Sequence, residues 1–347
     1  MPSAKTKALV SWCLFGWASD TFPILITTFI FSTYFIEHIA NNKIQGTYLW
    51  ANATTIAGII IAISAPLFGC IADQRGHHKR WLGFFTLLTI FSTGLLWFAY
   101  PNPASITFAL CIFIIGTISF EMTLIFYNSF LPLIAPAKKL GRISGWGWGL
   151  GYLGGIAALS TMLLLNIYKP SWLNTETFQQ MRIAGPFSAL WFAAFSLPLF
   201  LWVKDTAYNP VPMNKILSKS SQELKKTFHW LLQEKNILIF LIARMIYNDG
   251  LNTLFAFGGI YAAGTFNFTF LDIIIFGISL NILAGFGAIS FAWLDDYLGS
   301  KQTIMIALCS LIFFSCLLLL SHSRLGFWFT ASMLSIFIGP VQSASRT

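Results

Sequence analysis

Charged side chains are scarce in this sequence. Only 10% of its 347 residues are Asp, Glu, Lys or Arg, and 56% are hydrophobic, whereas a soluble protein carries about 25% charged residues. The composition therefore excludes an ordinary soluble fold and predicts an all-α integral membrane protein. Apolar runs of about 18 or more residues, each long enough to cross a bilayer as a helix, recur near 8–35, 48–71, 82–100, 104–128, 143–167, 185–203, 237–262, 271–293, 302–320 and 325–340.

Residues suited to metal or covalent chemistry are also few. The five cysteines lie inside the apolar runs or at their ends and show no CxxC spacing, which favours packing over disulfides or metal binding. No P-loop, HExxH or Ser/His/Asp constellation has convincing context, so we expect no enzyme, no cofactor and no metal. The adjacent His77 and His78 have no acidic or thiol neighbour beyond Asp73, and we interpret them as solvated loop residues.

The net charge of +9 has a topological explanation. When the loops are assigned alternately to two sides, nearly all basic residues fall on one side. The other side holds only Lys43, Lys169, Arg182 and Arg324. This asymmetry follows the positive-inside rule, so we place both termini in the cytoplasm and need no nucleic acid to explain the charge. The first run is too long for a cleavable signal, and we expect a multi-pass protein of a bacterial inner membrane.

The runs divide into six and four, which predicts an N-terminal half at 1–203, a cytoplasmic linker at 204–236 and a C-terminal half at 237–347. Within the linker, the apolar residues Leu224, Phe228, Leu231 and Leu232 are largely three to four positions apart. This spacing is typical of a helix lying on the cytoplasmic membrane interface. A plain charged linker is the alternative.

A short loop occurs twice. Asp73 and Gly76 follow the second run, and Asp296 and Gly299 follow the eighth with the same three-residue step. Both loops join an inward-going helix to an outward-going one. Equivalent loops at equivalent places predict two parallel repeats related by an axis normal to the membrane.

Four acidic or basic residues lie in the interiors of the runs: Asp20, Glu121, Arg244 and Asp249. A charge there costs about 2.5–3.5 kcal/mol on insertion scales and indicates a functional site. Asp20 and Asp249 each lie roughly 18 Å along a helix from the cytoplasm, near the midplane. Asn248 and a glycine flank Asp249, and Asn-Asp-Gly is expected to weaken the helix there. The alternative is an ion pair that only fixes packing, such as Arg244 with Glu121.

Several stretches resemble a known family. The loop GCIADQRGHHKRW is similar to the loop signature of the major facilitator superfamily. Five further stretches resemble its vacuole-effluxer-like family: WCLFGWASDTF, FYNSFLPLIA, RISGWGWGLGYLGG, RMIYNDGLNTL and GPVQSASR. The sequence departs from the family in its first helix, where the acid is displaced by about one turn, and from the twelve spans of the superfamily, since it ends after the tenth run.

The resemblance implies a major facilitator-type bundle in which the first, fourth, seventh and tenth helices line a central cavity. Asp20, Glu121, Arg244, Asn248 and Asp249 lie on three of these helices. The resemblance also implies a conformational latch in the repeated loops, formed by Gly69, Asp73, Arg75, Gly76, Arg80, Asp296 and Gly299. Signalling of topology by the basic residues alone is the alternative.

From these residues we expect a secondary transporter that moves a small polar solute across the bilayer by alternating access. Amino acids are implied by the resemblance alone, and sugars and other organic anions remain open. We expect Asp20 or Asp249 to couple transport to protons and Arg244 to bind an anionic substrate group. The competing hypothesis is a truncated remnant or membrane scaffold that does not transport.

A glycine-rich stretch, GWGWGLGYLGG, begins at Gly145. Within it, Gly149, Gly151 and Gly154 match the GxGxxG pattern of dinucleotide-binding proteins, but no strand precedes them and an apolar run follows. The four-residue steps predict instead that small residues line helix faces and let backbones approach closely. We assign this packing role to Gly147, Gly151 and Gly155, with Gly145 and Gly149 forming a second row.

Overall fold

The computed structural model describes residues 4–168, 170, 173, 177–205, 213–266, 268 and 270–346. The described part is helical, without strands. Eleven α-helices longer than four residues are numbered here in chain order: α1 Ala4–Ser19, α2 Lys43–Arg75, α3 His78–Leu95, α4 Ile106–Ser129, α5 Leu140–Tyr168, α6 Ala184–Trp202, α7 Met213–Gln233, α8 Lys235–Phe266, α9 Phe270–Leu298, α10 Ser300–Leu319 and α11 Arg324–Ala344.

Nine stretches among the described residues are long and apolar enough to cross a membrane. They correspond to nine of the ten predicted runs. The tenth is the run at 237–262, which forms α8 but is not among the nine stretches; the side chains at 255–260 within it lie outside the described residues.

The first span is irregular after Ser19. A π-helix covers Phe22–Phe29, a short α-helical turn covers Phe31–Tyr34, and a second π-helix covers Phe35–Ile39. Pro23 lies in the first turn of the first π-helix, where its missing N–H interrupts the α-helical ladder. Ile30 donates to the carbonyl of Leu25 at 3.2 Å, the five-residue step of a π-helix.

Two compact units account for the chain, Met1–Ile134 with Ala157–Leu224 and Ala135–Ile156 with Lys225–Thr347. Helix α5 contributes its first half to the second unit and its second half to the first. The division predicted from the sequence at 203 and 237 stays a prediction.

Aromatic residues form much of the first unit's core. Trp50 stacks on Phe113 with ring centroids 4.0 Å apart, and both side chains are buried. Trp12 on α1 and Tyr127 on α4 stack at 4.5 Å. The Trp12 indole N–H donates to the Tyr127 carbonyl at 3.1 Å, and the Tyr127 hydroxyl donates to the Trp12 carbonyl at 3.0 Å. These reciprocal bonds satisfy polar groups that would otherwise be costly in a membrane.

Small residues bring the helices of the second unit together. A side-chain carbon added at Gly145 on α5 would lie 2.5 Å from both the Ala288 carbonyl oxygen and the Ala292 Cβ of α9. An added carbon at Gly339 of α11 would likewise lie 2.8 Å from the Ala288 Cβ. Both backbones therefore approach α9 as closely as glycine allows.

Candidate functional site

Asp20 lies at the point where the first span leaves α-helical geometry. It follows Ser19, the last residue of α1, and its carbonyl accepts from the Ile24 N–H at 3.2 Å. Its side chain is partly buried. Departures from the α-helical ladder occur frequently at functional sites. The sequence had led us to expect such an irregularity in the span that carries Asp249, and the structure has it beside Asp20.

That other span is α8, which carries Arg244, Asn248 and Asp249. The expectation that Asn-Asp-Gly weakens the helix is wrong, because α8 is unbroken over Lys235–Phe266. Within a membrane a helix keeps its backbone bonds for want of water to replace them, and this outweighs the weak helix propensity of the three residues. The Thr253 hydroxyl donates to the Asp249 carbonyl at 2.9 Å, within the continuous helix.

The side chains of Arg244, Asn248 and Asp249 are all exposed. Leu251 is buried in a cluster with Ile304 and Val341, so this side of α8 packs on α10 and α11. Asp249 is two residues before Leu251, about 200° around the helix from it. Asp249 is therefore directed away from the packed side of its helix.

Glu121 lies in the middle of α4 and is partly buried. It makes no hydrogen bond or ion pair with another described residue of its unit. Its neighbour Phe120 stacks on Phe22 at 4.9 Å and contacts Phe192 edge-on at 6.4 Å. Arg244 belongs to the other unit and likewise has no ion pair within the described part of that unit, so the suggested pairing of these two residues stays untested.

The two repeated loops each turn at a glycine with the same kind of backbone conformation. Gly76 and Gly299 both have positive φ angles, of 74° and 85°, which glycine adopts without strain. The Gly76 N–H donates to the Ala72 carbonyl at 2.7 Å, and the Gly299 N–H donates to the Asp295 carbonyl at 2.9 Å. The internal repeat read from the sequence is thus present in the local structure.

The acidic residues of the two loops have different surroundings. The Asp73 side chain is 76% exposed and its Oδ1 lies 3.1 Å from His78 Nε2, whereas the Asp296 side chain is only 8% exposed. Asp296 accepts from the Arg142 backbone N–H at 3.1 Å, and its Oδ2 lies 3.3 Å from Arg142 Nε. The Arg142 guanidinium also lies 5.7 Å from the Trp293 ring centroid.

In the sequence, Arg142 is only one of the many basic residues on the side assigned to the cytoplasm. Its contact with Asp296 was not predicted. Its position one turn before Gly145 was the available clue, because the close approach of α5 and α9 at Gly145 brings Arg142 beside the Asp296 loop. Arg346 extends this cluster: its Nε donates to the Ser144 hydroxyl at 3.0 Å and its guanidinium lies 5.3 Å from the Trp148 ring.

The interpretation of His77 and His78 as solvated loop residues is wrong, because both have acidic partners. His77 Nδ1 lies 3.2 Å from Asp205 Oδ2, and His78 pairs with Asp73. Asp205 also accepts from the Lys79 backbone N–H at 2.9 Å, and the Lys79 ammonium donates to the Val203 carbonyl at 2.6 Å. No group of His, Cys, Asp and Glu that could hold a metal occurs among the described residues.

The remaining latch residues have no assigned contact. Gly69 has open space around it, and Arg80 is exposed. The side chain of Arg75 lies outside the described residues. Their part in a latch stays a prediction.

Of the two glycine rows, Gly145 and Gly149 contact α9. An added carbon at Gly149 would meet the Ile289 side chain and would lie 3.1 Å from the Gly285 carbonyl oxygen. Gly147, Gly151 and Gly155 are buried, and their assignment as packing glycines stays a prediction.

Comparisons with known proteins show which family this chain resembles. Residues 38–347 match the family described as "Vacuole effluxer Atg22 like". The chain is 24% identical over 346 residues to the uncharacterized MFS-type transporter YxiO of Bacillus subtilis, covering 99% of this chain and 80% of that protein. It is 24% identical over 208 residues to autophagy-related protein 22-1 of Penicillium rubens, covering 52% of this chain but only 34% of the fungal protein.

Solved structures show the same fold. The major facilitator superfamily transporter FucP has a TM-score of 0.71 at 15% identity, over 99% of this chain and 84% of that chain. The proton:xylose symporter XylE has a TM-score of 0.68 at 13% identity, over 99% and 80% of the two chains. The chain is thus a multi-pass secondary transporter of the major facilitator superfamily, and it belongs to the vacuole effluxer Atg22-like family.

Proposed function

We propose that this transporter moves a small polar solute, with amino acids as the first class to test, by alternating access coupled to protons. The observation that carries the proton coupling is Glu121. It is a carboxyl group in the middle of a membrane-spanning helix, without a hydrogen bond or ion pair to any described residue of its unit. Because an ionised carboxylate is costly there, binding a proton removes that cost, and the group can load and release a proton as access alternates.

Asp20 is another carboxylate within a span of the first unit and lies where α1 gives way to the π-helix. We assign it to the substrate and proton path because a helix that changes its hydrogen-bond step leaves backbone groups available to a ligand. Asp249, Asn248 and Arg244 are exposed polar groups on α8. We assign Arg244 to an anionic group of the substrate, as its guanidinium suits a carboxylate.

The repeated loops are proposed as the conformational latch. The pair of Asp296 and Arg142 joins the last turn of α9 to the start of α5. The pair of Asp73 and His78 is its more exposed counterpart in the first unit. Removing Arg142 would leave the largely buried Asp296 carboxylate without its partner, so the second loop is expected to hold more strongly than the first.

The chain is proposed to lie in a bacterial inner membrane with both termini in the cytoplasm. The support is the distribution of Lys and Arg between alternate loops. The same asymmetry accounts for the basic charge, so no nucleic-acid partner is proposed.

The first experiment identifies a solute. Purified protein is screened by thermal shift against amino acids, sugars and carboxylates, and the solutes that shift it are tested for flux in proteoliposomes. Stabilisation by amino acids followed by flux supports the proposal. If sugars alone raise the unfolding temperature and cross the proteoliposome membrane, the assignment of amino acids as substrates is wrong. No flux of any solute would favour the non-transporting alternative.

The second experiment tests coupling in the same proteoliposomes with an imposed pH gradient. Glu121→Gln is expected to abolish proton-driven uptake while leaving exchange of labelled for unlabelled solute, which needs no net proton movement. Glu121→Asp, which retains the carboxyl group, is expected to keep part of the driven uptake. Asp20→Asn and Asp249→Asn are measured alongside. Unchanged proton-driven uptake in all three neutral variants would overturn the coupling.

A further inference from the structure

We propose that α7 is an interfacial helix whose partner is the anionic phospholipid surface of the cytoplasmic leaflet. Its binding would tie the linker between the two groups of spans to the membrane. This inference rests on the proposed cytoplasmic side of the linker but not on the substrate or on proton coupling.

The first observation is the periodicity of the α7 sequence. The structure gives one helix over Met213–Gln233. Apolar residues recur at separations of four, seven, four and three along it, at Met213, Leu217, Leu224, Phe228 and Leu231. Polar and basic residues recur at the same kind of spacing, at Lys215, Lys219, Gln222, Lys226 and His229. Both series fit one face of a helix each, so the helix has an apolar side and a basic side.

The second observation is exposure. Phe228 is 63% exposed, and Trp230 and Leu232 are each 49% exposed. Lys225 and Lys226, in the preceding turn, are exposed as well. The described part of α7 therefore presents aromatic and aliphatic side chains beside lysines. This is the composition of helices that lie in the headgroup region, with the apolar side towards the acyl chains and the lysines towards phosphate.

The third observation is the junction with α8. Only Glu234 separates the two helices, and the Ile237 and Leu238 N–H groups both donate to the Glu234 carbonyl at 3.0 Å. The Lys235 and Asn236 N–H groups make no bond to the preceding turn among the described residues, so the helical ladder is interrupted. An interrupted ladder is where a helix changes direction. Because α8 carries a predicted membrane span, the end of α7 lies at the level of the membrane surface.

These observations favour a lipid surface over a protein partner. The basic side complements the anionic headgroups that are enriched on a cytoplasmic surface, and the junction keeps the apolar side within reach of that surface. Each lysine near an anionic surface contributes about 1 kcal/mol, or about fivefold in binding.

The test is hydrogen exchange of the intact protein in nanodiscs. Exchange of the amides at 222–233 is compared between phosphatidylcholine alone and an equal mixture with phosphatidylglycerol. We expect slower exchange in the anionic mixture. Lys225→Gln with Lys226→Gln should reduce the difference by up to about 25-fold, at about fivefold per lysine.

Two matched variants separate the sides of the helix. Phe228→Asp places a negative charge on the apolar side and is expected to remove the protection. Gln222→Asp makes the same charge change on the basic side and is expected to reduce the protection by only about fivefold, the effect of one unit charge. Exchange that does not depend on lipid composition, or equal loss in both aspartate variants, would overturn the proposal. Since the measurement is exchange and not flux, its failure is distinguishable from failure of the proposed transport function.

Discussion

The close approach of α5 and α9 gives the sharpest test of the packing. In Gly145→Ala, the new Cβ would lie 2.5 Å from both the Ala288 carbonyl oxygen and the Ala292 Cβ, whereas ordinary contacts begin at 3.4 Å. Both near atoms belong to the α9 backbone or to a side chain that cannot rotate away. The helices must therefore separate by roughly 1 Å, and overpacking of this kind costs about 1–3 kcal/mol.

The same separation should weaken the latch. Arg142 is three residues before Gly145, and its Nε lies 3.3 Å from Asp296, so a shift of about 1 Å weakens the Coulomb attraction of the ion pair by about a quarter. We expect Gly145→Ala to lower both the apparent unfolding temperature, by about 2–10 °C, and the flux of whichever solute the protein carries. Gly145→Leu should be more severe. Unfolding is followed at one heating rate in one detergent because it is often irreversible.

Gly58→Ala on α2 is the matched control. It is also a helical glycine within a span, but no atom lies within 4 Å of the added carbon. Because alanine has a higher helix propensity than glycine, Gly58→Ala should leave the unfolding temperature unchanged or raise it slightly. If Gly145→Ala unfolds at the same temperature as Gly58→Ala and transports normally, the close packing of α5 on α9 is refuted.

Two further predictions concern charged groups. A double-mutant cycle of Asp296→Ala and Arg142→Ala should show coupling of about 0.5–3 kcal/mol in unfolding free energy, with the double variant less damaged than the sum of the single ones; strict additivity would exclude the pair. Arg182 is buried, its Nε donates to the Trp97 carbonyl at 3.0 Å, and its guanidinium lies 4.2 Å from the Tyr100 ring centroid. Arg182→Lys should destabilise by about 2 kcal/mol, because lysine loses the planar stacking. The exposed Arg324 is its control: its guanidinium also lies over a ring, 4.6 Å from the Phe268 centroid, and pairs with Asp272 at 2.6 Å. Because this side chain is 47% exposed, water can replace what lysine loses, and Arg324→Lys should cost less than about 1 kcal/mol; equal effects of the two changes would contradict this account.

The spans and the repeated loops could be predicted from the sequence because each follows from a local property. Apolar length alone marks a segment that can cross a membrane, and the step from Asp73 to Gly76, which ends at a glycine with a positive φ angle, recurs from Asp296 to Gly299. The spacing of Phe228 and Leu231 likewise indicated a helix in the linker, and α7 is helical there.

The partners of the charged residues could not be predicted, because they depend on which helices meet and at what height. Arg142 reaches Asp296 only because two small-residue faces bring α5 against α9. His77 reaches Asp205 from a position 128 residues away in the chain. The Asn-Asp-Gly sequence led us to expect a weakened helix in α8, but α8 is continuous and the irregular span is the first one. Local helix propensity is weak compared with the need to bond every backbone group in lipid.

The reciprocal bonds between Trp12 and Tyr127 restrict how the first unit can deform. Each residue donates to the other's carbonyl, at 3.1 and 3.0 Å, so α1 and α4 cannot slide along each other by a turn without losing both bonds at once. Glu121 lies on α4, and Asp20 directly follows α1, so the bonds between Trp12 and Tyr127 join the two helices next to both carboxylates. A change in the distance between the two carboxylates then has to come from rotation or bending within the first span after Ser19, where the π-helix begins, and not from shear between the helices.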